Sequence, residues 1–125
     1  MDRPVPQSVY KILDAAPQHP LPEQLPLSTL DQADGFIHLS NHEQIPKTAA
    51  KWFTSYDKLW LLRVDSASAT RLIGKFKWLD AGETGCIHLY ADNGKLNSLG
   101  SGTVVGVMEW SRMPGHTWDQ IPCPQ

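Results

Sequence analysis

Two histidines, His38 and His88, sit in nearly the same setting, "DGFIHLS" at residues 34–40 and "TGCIHLY" at residues 84–90. Both segments read Gly-x-Ile-His-Leu, and each then carries a hydroxyl, on Ser40 or on Tyr90. Along an extended strand, successive side chains point to opposite faces. His38 therefore shares a face with Phe36 and Ser40, while Ile37 and Leu39 share the other. His88 goes with Cys86 and Tyr90, opposite Ile87 and Leu89. This alternation predicts that the Ile/Leu faces meet the core and the His/hydroxyl faces meet a cleft. An imidazole beside a hydroxyl can act as a general acid or base, or hydrogen-bond a sugar hydroxyl or a phosphate. The structural alternative is that each ring is buried and bonded to a nearby carbonyl or carboxylate. Because the pattern occurs twice, the functional reading stands beside the structural one.

Other chemistries find less support. His38 and His42 are four apart but straddle a strand-to-helix junction, and that spacing ligates metal when both residues lie on one helix. No metal is expected. Ser40 and His38, neighbours on one strand, lack a third group to orient them as nucleophile and base. Gly-x-Ser-x-Gly, the P-loop and a strand-following Gly-x-Gly-x-x-Gly are all missing. "GSGT" (100–103) precedes a strand and reads as a turn. Asp31, Asp34, Asp80 and Glu83 lie close to the histidine strands; they could serve a paired-carboxylate mechanism, but surface turn residues are the commoner explanation for such carboxylates. Trp78, leading into "AGETG", is a candidate pocket wall.

The elements that must position these groups follow from pattern. "SVYKIL" (8–13) has the β-branched and aromatic content of a strand. "DAAPQHPLPEQLPLS" carries four prolines and reads as an ordered surface loop, long enough to serve as a lid. Ser28 can cap one helical turn, and "GFIHLS" is a short apolar strand. Ser40 and Asn41 offer N-caps to a main helix over about 42–54, with Pro46 in its first turn. Ile45, Ala49, Trp52 and Phe53 form its predicted buried stripe. "DKLWLLRVD" (57–65) is a strand whose run Leu59–Leu62 implies burial on both faces. "SASATRLIG" is a turn or short helix ending at Gly74. "KFKWLD" alternates like a half-exposed strand, "CIHLY" is a strand, and "TVVGVMEW" (103–110) is the last. The tail from 111 onward reads as irregular. Many short strands with one good helix make an α+β domain.

At 125 residues, with 41% hydrophobic content, the chain reads as a single domain over 1–125 with its core at about 8–110. A net charge of −2 and no basic cluster interleaved with aromatics give no expectation of nucleic-acid binding. The apolar stretches fall short of a membrane span. "MDRPVPQSVYKIL" has neither the apolar segment nor the cleavage site of a signal peptide, so a cytoplasmic protein is expected. Of the two cysteines, Cys86 reads as a small buried hydrophobe, and spacing leaves open whether it pairs with Cys123. Oligomeric state is left undetermined.

"YKIL", "DGFIHLS" with the helix after it, "LWLLRVD" and "GCIHLY", in this order over about residues 8–110, resemble the DUF952 family. That family is similar in fold to the ADP-ribosyltransferases. The resemblance implies a small ADP-ribosylation-like domain with split, curved β-sheets and an NAD crevice between them. The "IHLS–helix–LLRVD" portion is also similar to the RNA 2′-phosphotransferases of the same superfamily. In the superfamily a His or Arg on the first core strand holds the NAD ribose; Lys11 stands there in this sequence and suits phosphate. His38 or Ser40 falls where an aromatic or His supports the nicotinamide end. The place of the usual catalytic Glu holds His88 and Tyr90, with Glu83 in the preceding turn. A histidine does not stabilise developing positive charge as a carboxylate does. Phosphate-directed or acid/base chemistry suits two histidines better. Three functions are therefore carried forward. One is an NAD- or ADP-ribose-linked transferase of atypical chemistry. Another is a small-molecule isomerase, lyase or hydrolase with His38 and His88 as acid and base. The third is a non-catalytic ligand-binding domain.

Overall fold

The structure, a computed structural model, describes residues 4–78, 87–92 and 99–124. The family-implied Glu83, with Asp80 and Cys86, lies outside these residues. Among the described residues, six strands and three α-helices follow one another as β1 (Ser8–Leu13), α1 (Thr29–Asp34), β2 (Ile37–Leu39), α2 (Ile45–Trp52), β3 (Lys58–Asp65), α3 (Ser66–Leu72), β4 (Gly74–Trp78), β5 (Ile87–Ala91) and β6 (Val104–Ser111). Short 3₁₀ turns at His42–Gln44 and Trp118–Gln120 complete the list. None of the described helices is long and apolar enough to cross a membrane.

The strands form two antiparallel sheets, ordered β1-β3-β6 and β2-β5-β4. The fold is α+β, as the pattern of elements implies. Among the described residues the sheets are joined by one backbone bridge: the Tyr10 N–H donates to the Ser40 carbonyl at 2.8 Å, and the Ser40 N–H returns to the Tyr10 carbonyl at 2.9 Å.

Alternation explains the layering. On the first sheet, Tyr10, Ile12, Leu59, Leu61 and Trp110 face α2 and Trp118. Val9, Leu62 and Val64 face the other way, onto Ile37, Leu39, Ile87 and Leu89 of the second sheet, Ala69 of α3 and Ile73 at its C-cap. β3 is buried on both faces, which accounts for its continuous apolar run.

The predicted main helix divides. Asn41 and Gln44 form a reciprocal capping box around the 3₁₀ turn, and α2 begins after it with Pro46 in its first turn. Ile45 and Ala49 are buried as expected, but Trp52 is 67% exposed, with the Lys51 ammonium 5.0 Å from its ring centroid. Helical geometry ends at Phe53, whose side chain packs inward instead. Trp118, from the tail that reads as irregular, occupies the interior: it is fully buried, tilted against Trp110 at 4.4 Å, and its indole N–H donates to the Phe53 carbonyl at 3.0 Å.

The proline-rich loop after β1 is tied down. The Leu25 N–H donates to the Leu99 carbonyl and the Ser101 N–H to the Pro22 carbonyl. Leu21, Leu25 and Leu27 pack onto the core between the sheets.

Candidate functional site

α1 positions the first acidic group. The Ser28 hydroxyl caps it by accepting from the Asp31 N–H at 3.0 Å. Gly35 ends it in the left-handed region (φ 78°), a conformation that a side chain would strain, and turns the chain directly into β2. This tight helix-to-strand step carries the Asp31 carboxylate inward, where it is 1% exposed. Asp31 is thus not the surface turn residue that the sequence suggests. A buried carboxylate needs partners, and it has three contacts. Oδ2 pairs with Lys11 Nζ at 2.7 Å. Oδ1 accepts from the His38 backbone N–H at 3.2 Å and lies 2.6 Å from the ring Nδ1. Lys11 also donates to the His38 carbonyl at 3.2 Å.

The other ring nitrogen of His38, Nε2, lies 3.0 Å from Asp34 Oδ2. Ionised carboxylates only accept, so a doubly protonated ring donates to both and a neutral ring to one. His38 is therefore clamped between two acids on α1, with part of its side chain still open to solvent.

His88 lies on the neighbouring strand. β2 and β5 pair with His38 directly opposite His88, and the ring centroids are 5.3 Å apart. The two imidazoles are neighbours on one face of one sheet. They do not stand on opposite walls of a cleft, as two facing sheets would place them. Ile37, Leu39, Ile87 and Leu89 point into the core on the reverse face, as alternation requires. Phe36 stacks on the His88 ring at 4.0 Å and 20°, and its own ring also approaches His38 and Tyr90. The Tyr90 hydroxyl is 3.2 Å from His88 Nδ1. His88 is 8% exposed. Burial pushes its pKa below the ordinary histidine value; the charge of His38 pushes the same way, and Asp34 and Asp31 oppose it. Two like side chains thus have unlike surroundings: one clamped by acids, the other shielded and held towards its neutral form.

Of the residues singled out in the sequence, His38, His88, Tyr90 and Lys11 converge on this network. Ser40 contributes through its backbone bridge to Tyr10, and its side chain is buried. Trp78 shares the core-directed face of β4 with Phe76 and donates its indole N–H to the Pro4 carbonyl at 3.2 Å. It lies on the reverse of the sheet from the imidazoles. His42 turns towards the tail, its Nε2 lying 3.2 Å from both the Pro124 carbonyl oxygen and Cys123 Sγ. Cys123 is a free thiol.

Sequence reasoning missed Phe36 as the shield of His88 and did not single out the lysines of β4. Lys75 lies opposite Tyr90 and Lys77 opposite His88, both exposed. The alternating "KFKW" held that signal, but only the pairing register shows what the lysines stand beside. A small hollow, open to solvent, lies between the sheets, lined by Leu13, Leu25, Ile37 and Leu62 with Lys11 and Asp31 at its polar end.

Among solved structures, the chain is similar to the X-ray structure of protein CC0527 from Caulobacter crescentus, with 30% sequence identity, 93% of each chain covered and a TM-score of 0.63. It is likewise similar to the structure of a double mutant of that protein, with 30% identity, 93% of each chain covered and a TM-score of 0.62. No curated protein matches it. The family model described as "Protein of unknown function (DUF952)" matches residues 14–107, which take in α1, the Gly-x-Ile-His-Leu segments and β4, so the chain that builds this histidine face belongs to the DUF952 family.

Proposed function

We propose that this protein binds a small polar molecule over the His38–His88 face and acts on it by proton transfer, with His88 as base and His38 as acid. The carrying observation is the pair itself: two imidazoles 5.3 Å apart on one sheet face, with unlike partners. Titratable neighbours whose surroundings separate their proton affinities are the arrangement that acid/base chemistry needs. Phe36 shields one ring from water, and Asp31 and Asp34 flank the two nitrogens of the other at hydrogen-bonding distance. Isomerisation, elimination and hydrolysis all use such a pair. The test is an NMR titration of both imidazole rings, in the wild type and in His38→Gln. A His88 midpoint below the ordinary 6.5, rising when His38 is removed, is expected. A midpoint at or above that value, indifferent to His38, would overturn the reading.

The resemblance to ADP-ribosyltransferases supplies a second reading, in which the ligand is NAD or an ADP-ribose-like nucleotide. Two split antiparallel sheets, with Lys11 lining the small hollow between them, support it. Tyr90, standing where the resemblance expects a glutamate, weighs against transfer chemistry. Calorimetry with NAD and with ADP-ribose separates the two: measurable binding that shifts the His38 and His88 resonances favours the nucleotide, and no binding removes it.

A further inference from the structure

The second sheet has one face in the core and one face outward, and its outward face is ordered by charge. Antiparallel partners share a face. One row therefore runs His38 on β2, His88 on β5 and Lys77 on β4. Beside it, Tyr90 stands next to Lys75. The acids, Asp31 and Asp34, cluster at the β2 end of the first row. The β4 end holds two exposed ammonium groups, and among the described residues neither has an ion-pair partner, although the chain as a whole is net acidic at −2. Two cations two residues apart on one strand, with a phenol and an imidazole opposite them, place a set of donors on one face of neighbouring strands. A lysine ammonium is a compact point charge that suits phosphate oxygens, and a tyrosine hydroxyl and an imidazole N–H complete such a set.

We propose that this face takes a phosphoryl-bearing small molecule, with Lys75 and Lys77 holding the phosphoryl oxygens and Tyr90 and the two imidazoles turned to the rest of the ligand. This rests on the acid/base reading of the same face and names the substrate class for it. Lysines on an edge strand also serve to block strand-to-strand association. That role needs charge anywhere along β4, whereas the phosphoryl site needs it beside His88 and Tyr90.

The experiment is a titration of the full chain with pyrophosphate, inorganic phosphate and acetate, followed by the ring resonances of His88 and Tyr90. Pyrophosphate and phosphate are expected to shift both rings saturably, acetate to have no comparable effect, and added salt to weaken binding. The Lys75→Gln/Lys77→Gln double variant should lose about tenfold or more in affinity. Three results would overturn the proposal: no saturable shift with pyrophosphate; equal binding of acetate; or a double variant that binds pyrophosphate like the wild type, whether or not it self-associates. The acid/base reading is judged separately, by the ring titration midpoints in the absence of any ligand. A protein whose His88 midpoint lies below the ordinary value and that ignores pyrophosphate would lose only the phosphoryl assignment.

Discussion

Asp31 and His88 are the residues on which the site turns, and each makes a measurable claim. Asp31 is buried between a lysine and a histidine, so Asp31→Asn keeps the shape and removes the charge. Breaking a buried pair strands the surviving charge, and urea unfolding should show a loss of about 3 kcal/mol. Adding Lys11→Met should recover part of it, because the stranded ammonium is then gone. His88 makes a claim about pH. Its folded pKa lies below the ordinary value of 6.5, chiefly because it is buried. Between those two values the unfolded chain binds more protons than the folded one. The stability contributed by neutral His88 is therefore present above the ordinary value and lost as pH falls below it. The urea midpoint of the wild type should drop between about pH 7.5 and about pH 5.5, and His88→Gln should flatten that drop. Phe36→Ala, by wetting the ring, should raise the His88 titration midpoint.

Whole elements are held in place by two close approaches of backbone. A Cβ on Gly74, the first residue of β4, would lie 1.7 Å from the Tyr90 carbonyl oxygen, and one on Gly100 would lie 2.0 Å from that of Glu23. Neither partner is a flexible side chain that could swing aside. Gly100→Ala should therefore free the proline-rich loop from residues 99–101, and amide exchange should quicken at Leu25, whose N–H donates to Leu99. Exchange at His38, which lies in β2, should change little. If Leu25 exchanged no faster, the loop would be anchored by its leucines rather than by this contact. The loop itself was readable as ordered because four prolines stiffen it. Its place was not readable: Leu25 and Leu27 line the hollow between the sheets, away from the imidazoles.

At the scale of the molecule, two tryptophans exchange their expected parts. Trp52 falls on the helical stripe with Ile45 and Ala49 yet stands in solvent, while Trp118, in a tail without strand or helix periodicity, closes the second core. Trp118→Ala should cost about 3–5 kcal/mol, and Trp52→Ala should stay within about 0.5 kcal/mol of wild type. Thermal melts of the two variants check this directly. Truncation before Trp118 should destabilise the protein as severely as the point variant, although the residues matched by the family model end at 107.

Local pattern alone decided much. Period-two alternation sends Ile37, Leu39, Ile87 and Leu89 inward and both histidines outward, because a strand has only two faces. Caps and breakers set helix starts, since Ser28 and Asn41 satisfy N–H groups that a helix leaves open. Tertiary structure decided what each side chain meets. Which strand lies beside β2, and in which register, depends on how two apolar faces pack together, and that choice alone sets His38 against His88 and His88 against Lys77. The burial of Asp31 likewise follows from Lys11, twenty residues earlier on another sheet, whose ammonium makes an inward carboxylate affordable. Spacing along the chain carries no record of such partners, because ion pairs and strand pairing form across distances that only the folded backbone brings together.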